Sequence, residues 1–224
     1  MTKVVCIVQA RLGSSRLPAK VLLPLPTGRT VLEEVLHRCK QIEGVDDVCL
    51  ACTRQDMTIL SNFVPQDYDL PIAIAAPECD ENDVLGRYAK AAQAVSADIV
   101  IRITADCPML NPHLCGEMLS YFKRNDLEFL SNAHPIRHVP HGWDCEIFTA
   151  RLLALANSTA TDPEDREHVT MALKKWADAG SITQDKWVCN EDWSDKRWTL
   201  DTLADYRRIV GLMRNDAGST QVAA

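Results

Sequence analysis

No apolar run in the 224 residues approaches the length that crosses a bilayer, which excludes a helical membrane span. The first residues, MTKVVCIVQA, enter a strand-like pattern at once, without the charged and apolar regions or cleavage pattern of a secretory leader, so a cytoplasmic location is expected. A basic surplus is missing too. With 24 Lys+Arg against 31 Asp+Glu the net charge is −7, which argues against a nucleic-acid or anionic-membrane surface. There is no internal repeat, low-complexity stretch or interdomain linker, so residues 1–214 are expected to form one domain. The small, polar DAGSTQVAA after Asn215 is expected to be a disordered tail. Cysteine, by contrast, is plentiful: nine, an odd number scattered along the chain, which fits reduced and mostly buried thiols better than a disulfide framework. Cys49 and Cys52 form a C-x-x-C, but in DVCLACT, a buried-strand pattern where residues three apart face opposite sides and do not share a metal.

Strand and helix patterns alternate along the rest of the chain. Residues 3–9 are strand-like. Residues 31–42 (VLEEVLHRCKQI) have helical spacing with Thr30 as N-cap and Gly44 as stop, and DVCLACT is a second strand. A weaker helix over 57–64 precedes LPIAIAA, a third strand ending at Pro77, and residues 84–95 make a helix capped by Asp83. DIVIRIT, residues 98–104, is the fourth strand. These runs are continuous in polarity, as expected for strands covered on both faces, and imply a doubly wound, largely parallel α/β sheet. Then follow a helix over 111–124, a fifth strand over 127–133, and a Pro-punctuated excursion, HPIRHVPHG, leading into the strand WDCEIF. Helices over 149–157 and 164–179, a strand in SITQDKWVC, a strand in RWTL and a last helix over 204–214 complete the pattern.

The loop after the first strand carries Arg11, Arg16 and Lys20 around Gly13, Ser14 and Ser15. Small residues let backbone N–H groups turn toward a ligand, and three cations roughly balance the tail of a nucleoside triphosphate. The loop leaves the carboxyl end of a strand, where open α/β sheets bind ligands. Two aspartates are suited to the same rim. Asp106 follows the fourth strand in TADCP, and Asp201 follows RWTL. Asp201 is equally suited to capping the last helix, and Asp106 to ordering a turn. Beside a triphosphate loop, however, two carboxylates are what Mg²⁺ requires: a few hard oxygen ligands, completed by phosphate oxygens and water at about 2.0–2.1 Å. Both must then converge.

The phrases QARLGSSRLPAKVL, ENDVLGRY, RITADCP, SNAHP followed by GWDCEIF, REHVT and RWTLDTLADY occur in this order across about nine-tenths of the chain. Together they resemble the SpsF-like cytidylyltransferases, which are in turn similar to CMP-KDO and CMP-sialic acid synthetases. The resemblance implies a nucleotide-diphospho-sugar transferase (GT-A-like) fold with a small excursion after the fifth strand, CTP and a small-molecule acceptor as substrates, Mg²⁺, and a homodimer. It puts Arg11, Ser14, Arg16 and Lys20 on the triphosphate and Asp106 and Asp201 on the metal. It also puts Asn82, Asp83 and Arg87 near the base or ribose, and points Arg102 toward the site. A guanidinium inside a covered strand must be paired in any case, so a buried ion pair with a nearby carboxylate is an equal alternative for Arg102.

The acceptor pocket is expected from the chain after the fifth strand, with Arg137, Asp144 and Glu146 as candidates, and from Arg166 and His168 in REHVT. A salt bridge is the alternative for Arg166. A metal site from His134, His138 and His141 is the lesser alternative to substrate contact or a solvated loop. In this family the loop commonly reads MGSxRLPGK; here Leu12 replaces Met and Ala19 replaces Gly. A permitted backbone conformation at Ala19 is expected, since positive φ would strain an alanine. The implied chemistry is attack by an acceptor oxygen on the α-phosphorus of CTP with departure of pyrophosphate. No residue stands out as its base. A phosphonate, polyol phosphate or sugar 1-phosphate acceptor, or a silent nucleotide-binding regulator, remains open.

Overall fold

The computed structural model describes residues 2–65, 72–75, 78–189 and 191–220, the side chains of 216–220 excepted. Its centre is a seven-stranded sheet. Strands β1 (Val4–Ala10), β2 (Asp47–Cys52), β3 (Ala73–Ala75), β4 (Ile99–Thr104), β5 (Phe129–Ser131), β6 (Glu146–Thr149) and β7 (Gln184–Lys186) lie in the order β3-β2-β1-β4-β6-β5-β7. Only β6 runs against its neighbours β4 and β5; the other pairings are parallel. The third expected strand extends beyond the described residues at both ends.

Alternation along β1 divides the core. Val4, Cys6 and Val8 pack with α1 (Val31–Lys40) and α4 (Pro112–Arg124), while Val5 and Ile7 pack with α3 (Val84–Ala94), α5 (Ala150–Thr159) and α7 (Met171–Asp178). Helices therefore cover both faces, as the unbroken apolar runs require. Cys49 and Cys52 fall in opposite cores, so the C-x-x-C spans the sheet. All nine cysteines are free thiols and seven are buried.

Local signals fix several helix starts. Thr30 and Glu33 form a reciprocal capping box on α1. Asp83 accepts from the Gly86 N–H at 3.0 Å on α3, and Asn111 accepts from His113 and Leu114 at the start of α4. The segment over 57–64 forms only a short α2 (Met57–Leu60) and a 3-10 turn.

Two expectations fail for tertiary reasons. The helix over 164–179 is broken into α6 (Pro163–Glu167) and α7 by a corner at His168, because Val169 and Thr170 are drawn into the interior. RWTL is not a sheet strand: it makes one bridge, Arg197 to His141, and the Leu200 N–H donates to the carbonyl of Asp106 at 2.8 Å. The last helix, α8 (Leu203–Thr220), continues beyond Asn215 into the segment expected as tail; residues 221–224 lie outside the described residues. Ile209 and Met213 of α8 pack on Leu25, Val31 and Leu200, which fixes where Asp201 emerges.

Candidate active site

A cleft of about 320 Å³ opens at the carboxyl ends of β1 and β4. It is walled by the β1 loop (Arg11, Ser14, Ser15, Arg16 and Lys20), by the end of β4 (Arg102, Thr104, Asp106), by Asp201, and by Glu167 and His168 from the α6–α7 corner. At its centre the Lys20 ammonium lies 2.7 Å from Asp106 Oδ2 and 3.0 Å from Asp201 Oδ1. The two carboxylates are thus no farther apart than those two contacts laid end to end. Burial works against the charge on Lys20, but the two carboxylates outweigh it and raise its pKa.

Both aspartates are turned to cations rather than to local backbone. Asp201 also takes Arg16 at 2.8 Å and Arg197 four residues upstream. It does not cap α8. That task falls to Thr202 and Asp205, which exchange hydrogen bonds across the first turn. Asp106 accepts from Lys20 and, weakly, from the Cys107 thiol. The Leu200-to-Asp106 backbone bond holds their two loops together, so residues 95 positions apart in sequence meet at one rim.

Ala19 corrects an expectation. Its φ of +53° and ψ of 25° are left-handed, the conformation a glycine takes without strain, and its N–H donates to Leu12 O at 3.0 Å to close the loop. Ala19→Gly is therefore expected to stabilise the protein by about 0.5–1 kcal/mol, the strain relieved less the extra freedom of the unfolded glycine. Urea denaturation measures it; an unchanged or lowered midpoint would refute the strain.

Arg102 satisfies both alternatives raised for it. It lines the cleft and donates to Glu146 Oε2 at 2.6 Å, with its guanidinium 5.9 Å from the Tyr88 ring centroid. Glu146 is buried beneath, held also by Lys174 at 2.7 Å and by the Thr170 hydroxyl. Burial pushes the Glu146 carboxyl up, yet Arg102 and Lys174 outweigh it and hold the pKa at about 2. Glu146 is therefore a support beneath the cleft, outside its lining.

The remaining candidates divide. Asn82, Asp83 and Arg87 stand behind the wall. The Asn82 N–H donates to Asp80, Asp83 caps α3, and the fully buried Arg87 donates to the carbonyls of Asp80 and Glu81. Gly13 lies against Glu81, whose Oε1 would be 2.9 Å from an added Cβ. Arg166 is engaged by Asp83 and Asn157, and Arg137 by Asp144, which also accepts from the Gly142 N–H; these lie outside the cleft lining. His134 pairs with Asp178 at 2.9 Å, and no group of three metal-ligating side chains occurs among the described residues. Sequence reasoning missed Glu167 and Arg197. The first was hidden by the expectation of a continuous helix; the second stands one helical turn before Asp201, a spacing that signals an ion pair.

A largely parallel, covered sheet with a cationic loop and two aspartates at its carboxyl rim puts the cleft where open α/β sheets take ligands, and the chain's similarity to known cytidylyltransferases makes it a nucleotidyltransferase. A family model described as Cytidylyltransferase matches residues 5–177, and the chain belongs to that family. It is 32% identical to an uncharacterized protein of Methanocaldococcus jannaschii over 95% of this chain and 84% of that protein. It is 26% identical to the spore coat polysaccharide biosynthesis protein SpsF of Bacillus subtilis, over 100% and 92% respectively. A cytidylyltransferase structure from Leptospira borgpetersenii superposes with a TM-score of 0.84 and 29% identity, covering 94% of this chain and 86% of that one.

Proposed function

We propose that this enzyme joins CMP from CTP to a hydroxyl of a sugar acid or related acceptor, releasing pyrophosphate, with Mg²⁺ as its metal and surface or spore-coat polysaccharide as its pathway. The single observation that carries the reading is the convergence of Asp106 and Asp201 on one ammonium beside a cationic loop. Two hard carboxylates turned to a common positive centre fit a magnesium ion, and Asp106 and Asp201 would hold it. Such an ion, when bound, neutralises phosphate oxygens and polarises the phosphorus they surround.

The chain's own groups supply the rest. Lys20 and Arg16, released from the carboxylates they now contact, neutralise the leaving pyrophosphate. In the Gly13 to Ser15 bend the Ser14 N–H is taken by Leu12 O at 2.9 Å, which leaves the Gly13 and Ser15 N–H groups to add fixed dipoles. Arg102, anchored by Glu146, presents a cation from the cleft wall to the nucleotide. The Bacillus subtilis relative, which aligns over 100% of this chain, is named for spore coat polysaccharide biosynthesis, which supports a saccharide acceptor.

Pyrophosphate release from CTP and Mg²⁺ with a panel of eight- and nine-carbon keto sugar acids tests the reading. Release with at least one of them is the expected result. Tight CTP binding with no turnover on any acceptor would make the protein a nucleotide binder, and release with a phosphonate alone would reassign the acceptor.

A further inference from the structure

The α6–α7 corner is built more rigidly than a surface turn needs. On one side Arg166 ties it to Asp83, the cap of α3, through Nε at 2.8 Å, and to Asn157 through Nη1 at 2.8 Å and Nη2 at 3.0 Å. On the other side the Thr170 hydroxyl contacts both oxygens of Glu146 at 3.0 Å, and Lys174 reaches the same carboxylate. Between these clamps the helix stops at His168, and the Met171 N–H closes back on the His168 carbonyl at 2.7 Å. The consequence is that Glu167 and His168 face the cleft while Val169 and Thr170 are buried behind them.

Glu167 differs from the other carboxylates in the cleft. Asp106 and Asp201 are each held by cations; the Glu167 side chain is exposed and makes no hydrogen bond or ion pair among the described residues. An unpaired carboxylate repels a polyphosphate but accepts hydrogen bonds from hydroxyl groups. It is suited to accepting a proton from a neutral hydroxyl.

We propose that the α6–α7 corner is the acceptor wall of the site and that Glu167 is the catalytic base. This rests on the cytidylyl-transfer reading above. An oxygen lone pair of the acceptor hydroxyl forms the bond to the α-phosphorus of CTP. The bond from that phosphorus to the β-bridging oxygen breaks, its electron pair leaves on pyrophosphate, and the hydroxyl proton passes to a Glu167 carboxylate oxygen. His168 stands beside it as a hydrogen-bonding group for the acceptor. Arg166 is a positioning residue, acting through the corner it holds.

The test has two arms. In the first, CTP with Mg²⁺ is titrated calorimetrically into wild type and Glu167→Gln. The variant is expected to bind with equal or severalfold tighter affinity, and a tenfold weakening would overturn the proposal by making Glu167 a nucleotide ligand. In the second, pyrophosphate release is followed with whichever acceptor the wild type uses. Glu167→Gln is expected to lose about a hundredfold in kcat, and Glu167→Asp to recover part of it. A Glu167→Gln enzyme within threefold of wild type would overturn the base. If the wild type turns over no acceptor, the functional reading falls and takes the base with it, whereas turnover by the wild type with an unimpaired Glu167→Gln enzyme overturns the base alone.

Discussion

Asp201→Asn is expected to reduce pyrophosphate release by about a thousandfold or more, equivalent to about 4 kcal/mol of transition-state stabilisation, while the protein stays folded. Asparagine keeps the shape and one oxygen of the side chain but removes the charge a divalent ion needs. The fold should tolerate it. Lys20 retains Asp106, Arg197 retains a contact with Asp205 at 3.6 Å, and the start of α8 depends on Thr202 and Asp205. Circular dichroism and the urea midpoint check the second half, single-turnover pyrophosphate release the first. A folded variant with near-normal turnover would remove Asp201 from the metal, and with it the central premise of the proposed function. Of the three cations on this carboxylate only Arg16 has no second acidic partner among the described residues, so the asparagine variant should release Arg16 for phosphate. CTP binding without metal is therefore expected to be retained while turnover is lost.

The part of this site legible in the sequence is the part that local chemistry dictates. A strand followed by Gly13, Ser14 and Ser15 among three cations needs no tertiary information to be read as an anion loop. The caps Thr30, Asp83 and Asn111 declared their helices in the same way. What escaped depended on partners far along the chain. RWTL has strand composition, but its Leu200 N–H is taken by Asp106 O instead of a sheet ladder, and that bond together with the packing of α8 on Leu25, Val31 and Leu200 brings Asp201 to the rim. REHVT has helical periodicity, but Thr170 is drawn inward to the buried Glu146, the helix breaks at His168, and Glu167 lines the cleft. Ala19 shows the converse: its left-handed backbone is set by the loop closing onto Leu12, against the preference of the residue itself. In each case the departure from local preference adjoins residues that line the cleft: Lys20 after Ala19, Asp201 after Leu200, and Glu167 and His168 ahead of Thr170.

The largest expected effect on stability belongs to Glu146. Its carboxylate is the common acceptor for Arg102, Lys174 and Thr170, and with the carboxylate neutralised Arg102 remains in the interior without a counter-charge. Glu146→Gln is accordingly expected to cost about 3–5 kcal/mol at neutral pH, because breaking one side of a buried pair strands the other. Acid sensitivity supplies an independent check. The carboxyl titrates at about 2 in the folded protein against an ordinary 4.5, so its stabilisation is complete above pH 4.5 and is lost as pH falls toward 2. The shift corresponds to about 3 kcal/mol, and the variant should lack that share of the wild type's acid destabilisation. Urea midpoints at pH 7 give the first quantity, and midpoints at pH 3, where about 2 kcal/mol of the shift has been lost, give most of the second. A variant within 1 kcal/mol of wild type at pH 7, with the same loss at pH 3, would mean that Arg102 finds another partner. Arg102 would then no longer be anchored to the sheet, and its role in the cleft wall would need another support than the one formed by β6 and α7.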